Sequence, residues 1–400
     1  MSGRPLKPGW RMVKFGEVVR QCKESVDRDN NSFERYVEGG HMDSEDVHIR
    51  RWGEFGEDYV GPAFHRVFRK GQVLYGSRRT YLKKVALADF DGITANTTLV
   101  LETKDQNMFL QELLPFLMLT DSFTQHSIQE SKGSTNPYIN WPDIAKYEFP
   151  LPPIEEQRRI AEILWAADEV VKTYGAARKQ LSILLTSLRD AEMCSPSFRK
   201  ICLGYFLEDI VAGKSVVGGN EFAGPDEYGV LKVSAVGADG FVPQENKRLM
   251  HQDDFLEKYQ VRKGSLLITR CNTSELVGRV CITNNDYPNL MLCDKTLELV
   301  VNPGIASKRF IFQLLRSRFA RSQIMASATG TGEAMKNISQ SDIRSIVVTA
   351  PPLDEQSRLA DYAESISQEA ERIDSQLKSS KALSKRLFDG LLETGVSVDG

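Results

Sequence analysis

From residue 59 to residue 88 the chain has no aspartate or glutamate, while Arg66, Arg69, Lys70, Arg78, Arg79, Lys83 and Lys84 alternate with Phe64, Phe68, Tyr75 and Tyr81. A second acid-free stretch, 299 to 332, holds Lys308, Arg309, Arg316, Arg318 and Arg321 on a helical pattern. Cationic patches with aromatic rings between them suit phosphate contacts, and a local patch can do this in a chain whose net charge is −3. The same pattern also fits a solvated face or an interdomain ion-pair surface. Polar loops lie beside both stretches, and their amides and hydroxyls suit base edges. The candidate nucleic-acid contacts are therefore Arg78, Arg79, Tyr81, Lys83, Lys84, Lys132, Ser134, Thr135 and Asn136 in the first half. In the second half they are Arg270, Asn272, Thr273, Thr331 and Lys336.

No catalytic constellation accompanies these residues. There is no Walker phosphate loop and no H-E-x-x-H pair. Gly330-Thr331-Gly332-Glu333-Ala334-Met335 has two glycines of a dinucleotide fingerprint and follows a helical pattern instead of a strand. Asn136-Pro137-Tyr138 is one proline short of the N-P-P-Y of amino-methyltransferases. The histidines (His41, His48, His65, His126, His251) show no ligand spacing, and the 6 cysteines form no C-x-x-C pair, so neither a metal site nor a disulfide framework is expected. A length of 400 residues and a hydrophobic fraction of 41% suit two to three globular domains. No apolar run reaches membrane-spanning length, and Met1-Ser2-Gly3-Arg4-Pro5 lacks a signal-peptide core. The expectation is a soluble, cytoplasmic protein without a membrane partner.

The elements that must position the basic stretches are written twice. Pro152-Pro153-Ile154-Glu155-Glu156-Gln157 returns as Pro351-Pro352-Leu353-Asp354-Glu355-Gln356, at an offset of 199 that holds without a gap from Gly133/Gly332 to Ala161/Ala360. A proline pair suits a helix start, and two acids in the first turn suit the positive end of its dipole. After the first start apolar residues recur at Ile160, Ile163, Ala167, Val170, Tyr174, Ala177, Leu181, Leu184, Leu188 and Ala191. After the second the row is Leu359, Ala363, Ile366, Ala370, Ile373, Leu377, Ser380, Ser384, Leu387 and Leu391. A period near 3.5 predicts two coiled-coil helices, although two amphipathic helices on a globular core would share the pattern. A run of about 38 residues would span roughly 55 Å at 1.5 Å per residue.

Ahead of each helix lies a strand-rich segment. In the first, strands are expected near 36–41, 72–77, 85–88 and 98–101, after an entry strand or short helix at 10–18. A helix over 108–129 should break or kink at Pro115. The second segment repeats this: Lys263-Gly264-Ser265-Leu266-Leu267 answers Lys70-Gly71-Gln72-Val73-Leu74, and Thr296-Leu297-Glu298-Leu299 answers Thr98-Leu99-Val100-Leu101. The expected division is a globular unit over 1–151, a helix over 152–195, a second unit over 196–350 and a second helix over 351–395.

On these residues the chain resembles the specificity (S) subunits of type I restriction-modification systems. The family's helix entry L-P-P-x-x-E-Q stands here as Leu151-Pro152-Pro153-Ile154-Glu155-Glu156-Gln157 and, with Ala350 for the leucine, as Pro351-Pro352-Leu353-Asp354-Glu355-Gln356. Segments 70–86 and 263–270 resemble its recognition domains. The resemblance implies an α+β fold: two similar mixed α/β target-recognition domains joined by two long antiparallel coiled-coil helices, a pseudo-twofold repeat. Each domain would read one half of a bipartite, asymmetric site on double-stranded DNA, and the helices would set the spacer. The helix positions Ile160, Ala167, Tyr174, Leu181, Leu188, Leu359, Ile366, Ile373 and Leu387 would form the seam and dock two methyltransferase (M) subunits. Restriction (R) subunits would join them. Adenosylmethionine, Mg2+ and ATP would sit on those partners and none on this chain, which would be non-catalytic. A recognition subunit of another defence or methylation system shares the layout. A coiled-coil scaffold with two protein-binding modules explains the repeat but leaves the basic stretches idle.

Overall fold

The computed structural model describes residues 6–27, 32–55, 60–216, 219, 221–238, 240–330 and 335–393. In the first half the order is β1 (Arg11–Lys14), α1 (Phe15–Val18), β2 (Val19–Cys22), β3 (Arg35–Val37), β4 (Gly53–Glu54), β5 (Phe64–Phe68), β6 (Val73–Gly76), β7 (Val85–Leu87), β8 (Gly92–Ala95) and β9 (Thr98–Thr103). Then come α2 (Leu114–Leu119), α3 (Asp121–Gln129), α4 (Trp141–Ile144), β10 (Glu148–Leu151) and the long α5 (Ile154–Ser187). The second half runs β11 (Lys200–Cys202), β12 (Leu207–Ala212), β13 (Gly229–Leu231), β14 (Asn246–Arg248), β15 (Gln260–Val261), β16 (Leu266–Thr269), β17 (Cys271–Asn272), β18 (Val280–Ile282), β19 (Tyr287–Met291) and β20 (Thr296–Val301). It closes with α6 (Lys308–Leu315), α7 (Arg318–Ser327), β21 (Lys336–Asn337), α8 (Gln340–Ser345), β22 (Val347–Thr349) and the long α9 (Leu353–Glu393).

Two compact units result: Met1–Gly175 with Ser375–Gly400, and Ala176–Asp374. In the first unit an antiparallel sheet has the order β2-β9-β6-β7, and a second sheet, β4-β3-β8-β5, contains one parallel pair, β3 with β8. A ribbon, β1-β10, closes the unit onto the start of α5. The second unit repeats this order as β12-β20-β16-β18, β14-β13-β19-β15 with β13 parallel to β19, and the ribbon β11-β22. Runs such as Val73-Leu74-Tyr75 and Leu266-Leu267-Ile268 are buried along their whole length, so both faces of these strands are covered. The fold is α+β, a duplicated mixed unit with two long helices.

The helix expected over 108–129 is two helices. Pro115 opens α2, where its missing N–H removes no helical bond, and all six residues of α2 are buried. The break falls at Thr120, whose hydroxyl accepts from the Phe123 N–H and caps α3.

Each unit takes the beginning of one long helix and the end of the other. In the first, Ile160, Ala161 and Leu164 of α5 share a core with Leu387 and Phe388 of α9. In the second, Leu181, Leu185 and Leu188 share a core with Leu359, Ala360, Ala363 and Ile366, and Arg178 pairs with Asp374 at 2.8 Å. The two helices therefore run in opposite senses. On α9, Leu359, Ala363, Ile366, Ala370, Ile373, Leu377, Ser380, Ser384 and Leu387 are all buried or half-buried. On α5 the inward row is Ile160, Leu164, Ala167, Val171, Tyr174, Arg178, Leu181 and Leu185, continued by Leu188 just past its end. The sequence row through Ile163, Val170 and Leu184 faces outward instead, with these three side chains exposed. Both rows satisfy a heptad drawn from Ile160, because α5 is apolar at Ile163 and Leu164, Val170 and Val171, and Leu184 and Leu185 alike. Packing chose between them.

Candidate nucleic-acid interface

In the first unit two distant segments are zipped together just past the end of β6. Ser77 anchors the start, donating from its N–H (3.0 Å) and its hydroxyl (2.7 Å) to the Thr97 carbonyl. Its own carbonyl accepts from the Ile139 N–H at 2.9 Å, and the Arg79 N–H donates to the Pro137 carbonyl at 2.7 Å. Tyr138 in turn exchanges both backbone bonds with Lys132, at 2.8 and 2.9 Å. Arg78, Tyr138 and Lys132 are thus successive antiparallel partners, and directly opposed residues share a face. The result is a row of cation, aromatic ring and cation. Between Lys132 and Pro137 the chain turns at Gly133 (φ 88°), which leaves Ser134, Thr135 and Asn136 exposed beside the row.

Arg78 and Arg79 are exposed, and neither guanidinium makes an ion pair or hydrogen bond among the described residues. Tyr81, 53% exposed, stands on the 3-10 turn Thr80–Leu82 that follows them, and Tyr138 is 40% exposed. Lys132 is half-engaged: its amine lies 2.9 Å from Asp143, whose carboxyl Lys132 and Lys146 hold below the usual range. Lys83 and Lys84 do not join this surface. The Lys83 amine is paired with Asp121 at 2.6 Å and Glu45 at 3.4 Å, and the Lys84 amine donates to the Gly39 carbonyl. Tyr138 belongs to the surface although charge patterning did not select it; its position at the end of the polar loop was the available signal.

The second unit builds the same clasp from other side chains. Arg270 stands where Ser77 stands, its carbonyl accepting from the Ile338 N–H at 3.0 Å. Cys271 pairs with Asn337, which exchanges both backbone bonds with Thr329 at 2.9 and 2.8 Å. The row Arg78–Tyr138–Lys132 is replaced by Cys271–Asn337–Thr329, which carries no charge. Cations stand next to it: Arg270 is exposed, and Lys336, paired with Asn272, places its amine 3.1 Å from the Gly330 carbonyl. Asn272 accepts from the Thr273 N–H at 2.9 Å. Thr331 lies outside the described residues.

The second acid-free stretch has a different use. Arg309 pairs with Asp361 and Glu364 of α9, both at 2.7 Å, and Arg318 with Asp190 at 2.5 Å. Arg321 donates to the carbonyls of Val277 and Glu275, Lys308 to that of Gly264, and Arg316 lies over the Phe312 ring. The acids these cations need come from remote sequence. In the first stretch Arg69 is similarly taken by Glu24 and Asp91.

Among the described residues no group of three or more His, Cys, Asp or Glu could hold a metal ion, and no helix is long and apolar enough to cross a membrane.

A topology used twice, with one backbone clasp carrying two different sets of side chains, defines a duplicated α+β module. The chain belongs to the family of the type I restriction modification DNA specificity domain, whose model matches residues 9–180 and again 213–379. It is 28% identical over 172 residues to the type I restriction enzyme EcoEI specificity subunit of Escherichia coli, a match covering 43% of this chain and 29% of that protein. The EcoKI specificity subunit of Escherichia coli K12 is 28% identical over 312 residues, covering 70% of this chain and 65% of the other. The chain thus aligns with less than two thirds of either relative. A chain from a solved structure of the type I R-M system shares the fold, with a TM-score of 0.59 and 23% identity over 98% of this chain and 100% of the other.

Proposed function

We propose that this chain is the DNA sequence-recognition subunit of a type I restriction-modification complex, each unit reading one half of a bipartite, asymmetric site. One observation carries the reading: the same clasp presents Arg78, Tyr138 and Lys132 in one unit and, beside a buried Cys271, Asn337 and Thr329 in the other. A shared frame with different donors and acceptors is what two unlike half-sites require. Free guanidinium groups beside the first clasp suit phosphates and guanine edges, and the serine, threonine and asparagine of its loop suit other base edges.

The helices set the spacer between the half-sites. At 34 and 41 residues, α5 and α9 measure roughly 50 and 60 Å at 1.5 Å per residue. Two methyltransferase subunits dock on the outward faces of these helices, where Ile163 and Val170 stand exposed in the first unit. Adenosylmethionine, Mg2+ and ATP belong to those and to the restriction subunits. This chain is non-catalytic and cytoplasmic and supplies the address.

Co-expression with the neighbouring methyltransferase gene, followed by single-molecule mapping of adenine methylation, tests the reading. The expected result is one gapped, asymmetric motif that appears only when this chain is present. A stable complex without new methylation would count against it.

A further inference from the structure

The turn that carries Arg78, Arg79 and Tyr81 has an unusual backbone. Arg79 and Lys83 both lie in the left-handed region, at φ 49° and 47°, and bracket Thr80–Leu82. For a residue with a side chain that conformation is strained and persists where the surroundings hold it. Around Arg79 the surroundings are backbone: its N–H bonds to Pro137 and its carbonyl accepts from Leu82 at 2.9 Å. Around Lys83 they are charges. The Lys83 side chain is 11% exposed, and its amine sits between Asp121 and Glu45. Its carbonyl accepts from the Glu45 N–H at 3.1 Å, and Glu45 is itself left-handed at φ 55°.

Asp121 opens α3, and the oxygen that meets Lys83 also receives Lys385 at 3.3 Å. The Asp121 N–H donates to the Asp389 carboxylate at 3.2 Å. Lys385 and Asp389 lie one turn apart near the end of α9, in the part that belongs to the first unit. Beside them Phe388 packs on Phe116 of α2, with ring centroids 5.0 Å apart. Glycine at 83 would hold the same φ at lower cost. What lysine adds is the tie to Asp121.

We propose that Lys83 is a positioning residue: through Asp121 and Lys385 the last turns of α9 hold the 78–84 turn in the pose that presents Arg78, Arg79 and Tyr81 to DNA. The proposal rests on the reading of that turn as a DNA-contacting surface. The end of the chain thereby governs recognition by the unit at its beginning.

The test uses the full chain in complex with its methyltransferase partner and a labelled duplex carrying the motif mapped by methylation. Two further duplexes are scrambled in one half-site each, and the half-site assigned to the first unit is the one whose discrimination Arg78→Ala with Arg79→Ala reduces. Lys83→Met and Lys83→Gly should each weaken binding about three- to tenfold, and Lys385→Met less, with discrimination lost at that half-site alone. Lys83→Arg, which keeps the ion pair, should restore both. An ion pair that served stability alone would lower binding only in step with the melting temperature. Loss of discrimination without loss of stability therefore supports positioning. Wild-type discrimination by Lys83→Met and Lys83→Gly, while Arg78→Ala with Arg79→Ala still weakens binding, overturns the proposal and leaves the surface standing. Wild-type binding by the double arginine variant brings down the surface reading itself.

Discussion

Gln157 and Gln356 stand 199 residues apart and make the same three hydrogen bonds. Each is 1% exposed. The Gln157 amide donates to the carbonyls of Met108 (2.9 Å) and Pro152 (2.8 Å) and accepts from the Leu110 N–H (3.0 Å). Gln356 donates to Ile305 (3.3 Å) and Pro351 (2.9 Å) and accepts from the Ser307 N–H (2.9 Å). The glutamine that ends each helix-entry motif thus fastens the start of a long helix to the loop that follows the central strand pair. Its amide supplies both donors and an acceptor, which aspartate, glutamate and leucine cannot.

Truncating either glutamine leaves a backbone N–H unpaired in a buried place. Gln157→Ala or Gln356→Ala should each cost about 2–3 kcal/mol. Hydrogen exchange should quicken at the Leu110 amide in the first variant and at the Ser307 amide in the second. Equal loss at both sites from one substitution would show that the staple is not local to its unit.

The choice of row on α5 is testable by one pair of neighbours. Leu164 is fully buried and Ile163 is 39% exposed. In the isolated chain Leu164→Ala should cost about 3–4 kcal/mol, and Ile163→Ala within about 0.5 kcal/mol of nothing. Chemical denaturation of the two variants measures the difference, and a reversed order would return the seam to the outward row.

His48 lies 2.6 Å from Asp168 of α5. The hydrogen bond to that carboxylate raises the histidine above its ordinary value of 6.5, against the opposing effect of burial. A group raised on folding contributes stability that is fully present below its unfolded value and is lost as the pH climbs through the folded one. The melting temperature of the wild type should exceed that of Asp168→Asn most near pH 6, with the gap closing toward pH 8 and above. A gap independent of pH would mean that a neutral hydrogen bond carries the contact.

The free arginines of the first clasp and the engaged ones of the second stretch should behave differently toward DNA. Replacing Arg78 and Arg79 by alanine should weaken binding and lower the slope of log affinity against log salt by about one to two contacts. Arg309→Ala and Arg318→Ala should leave that slope unchanged and cost at most about 1 kcal/mol of stability each. Unchanged affinity of the double variant across a salt series would remove the first clasp from the interface.

The spacer reading makes a geometric prediction. Removing one heptad from within 167–187, with a matched heptad from α9, shortens the helices by about 10 Å. At about 3.4 Å per base pair the permitted spacer should shrink by about three base pairs, with both half-site sequences retained. Methylation mapping reads this directly, and an unaltered spacer would reject the ruler.

The duplication, the two helix starts and the strand-rich unit ahead of each are legible along the chain. These are local matters: a proline pair, two acids, a period of 3.5 or 2, and glycines where the chain must turn. The row on α9 is legible too, because Leu359 through Leu387 offers a single apolar line. On α5 adjacent apolar pairs such as Ile163 and Leu164 made two lines equally good, and only packing against neighbours separated them. Charge was the least legible property. Two acid-free stretches look alike along the chain, yet Arg309 finds acids on α9 and Arg318 finds Asp190 just past the end of α5, whereas Arg78 and Arg79 have no partner among the described residues. Whether a cation is available to a ligand depends on which carboxylates the fold brings within about 4 Å, and sequence distance carries no record of that. The row of Arg78, Tyr138 and Lys132 has the same origin, since backbone pairing across more than fifty residues puts three side chains on one face.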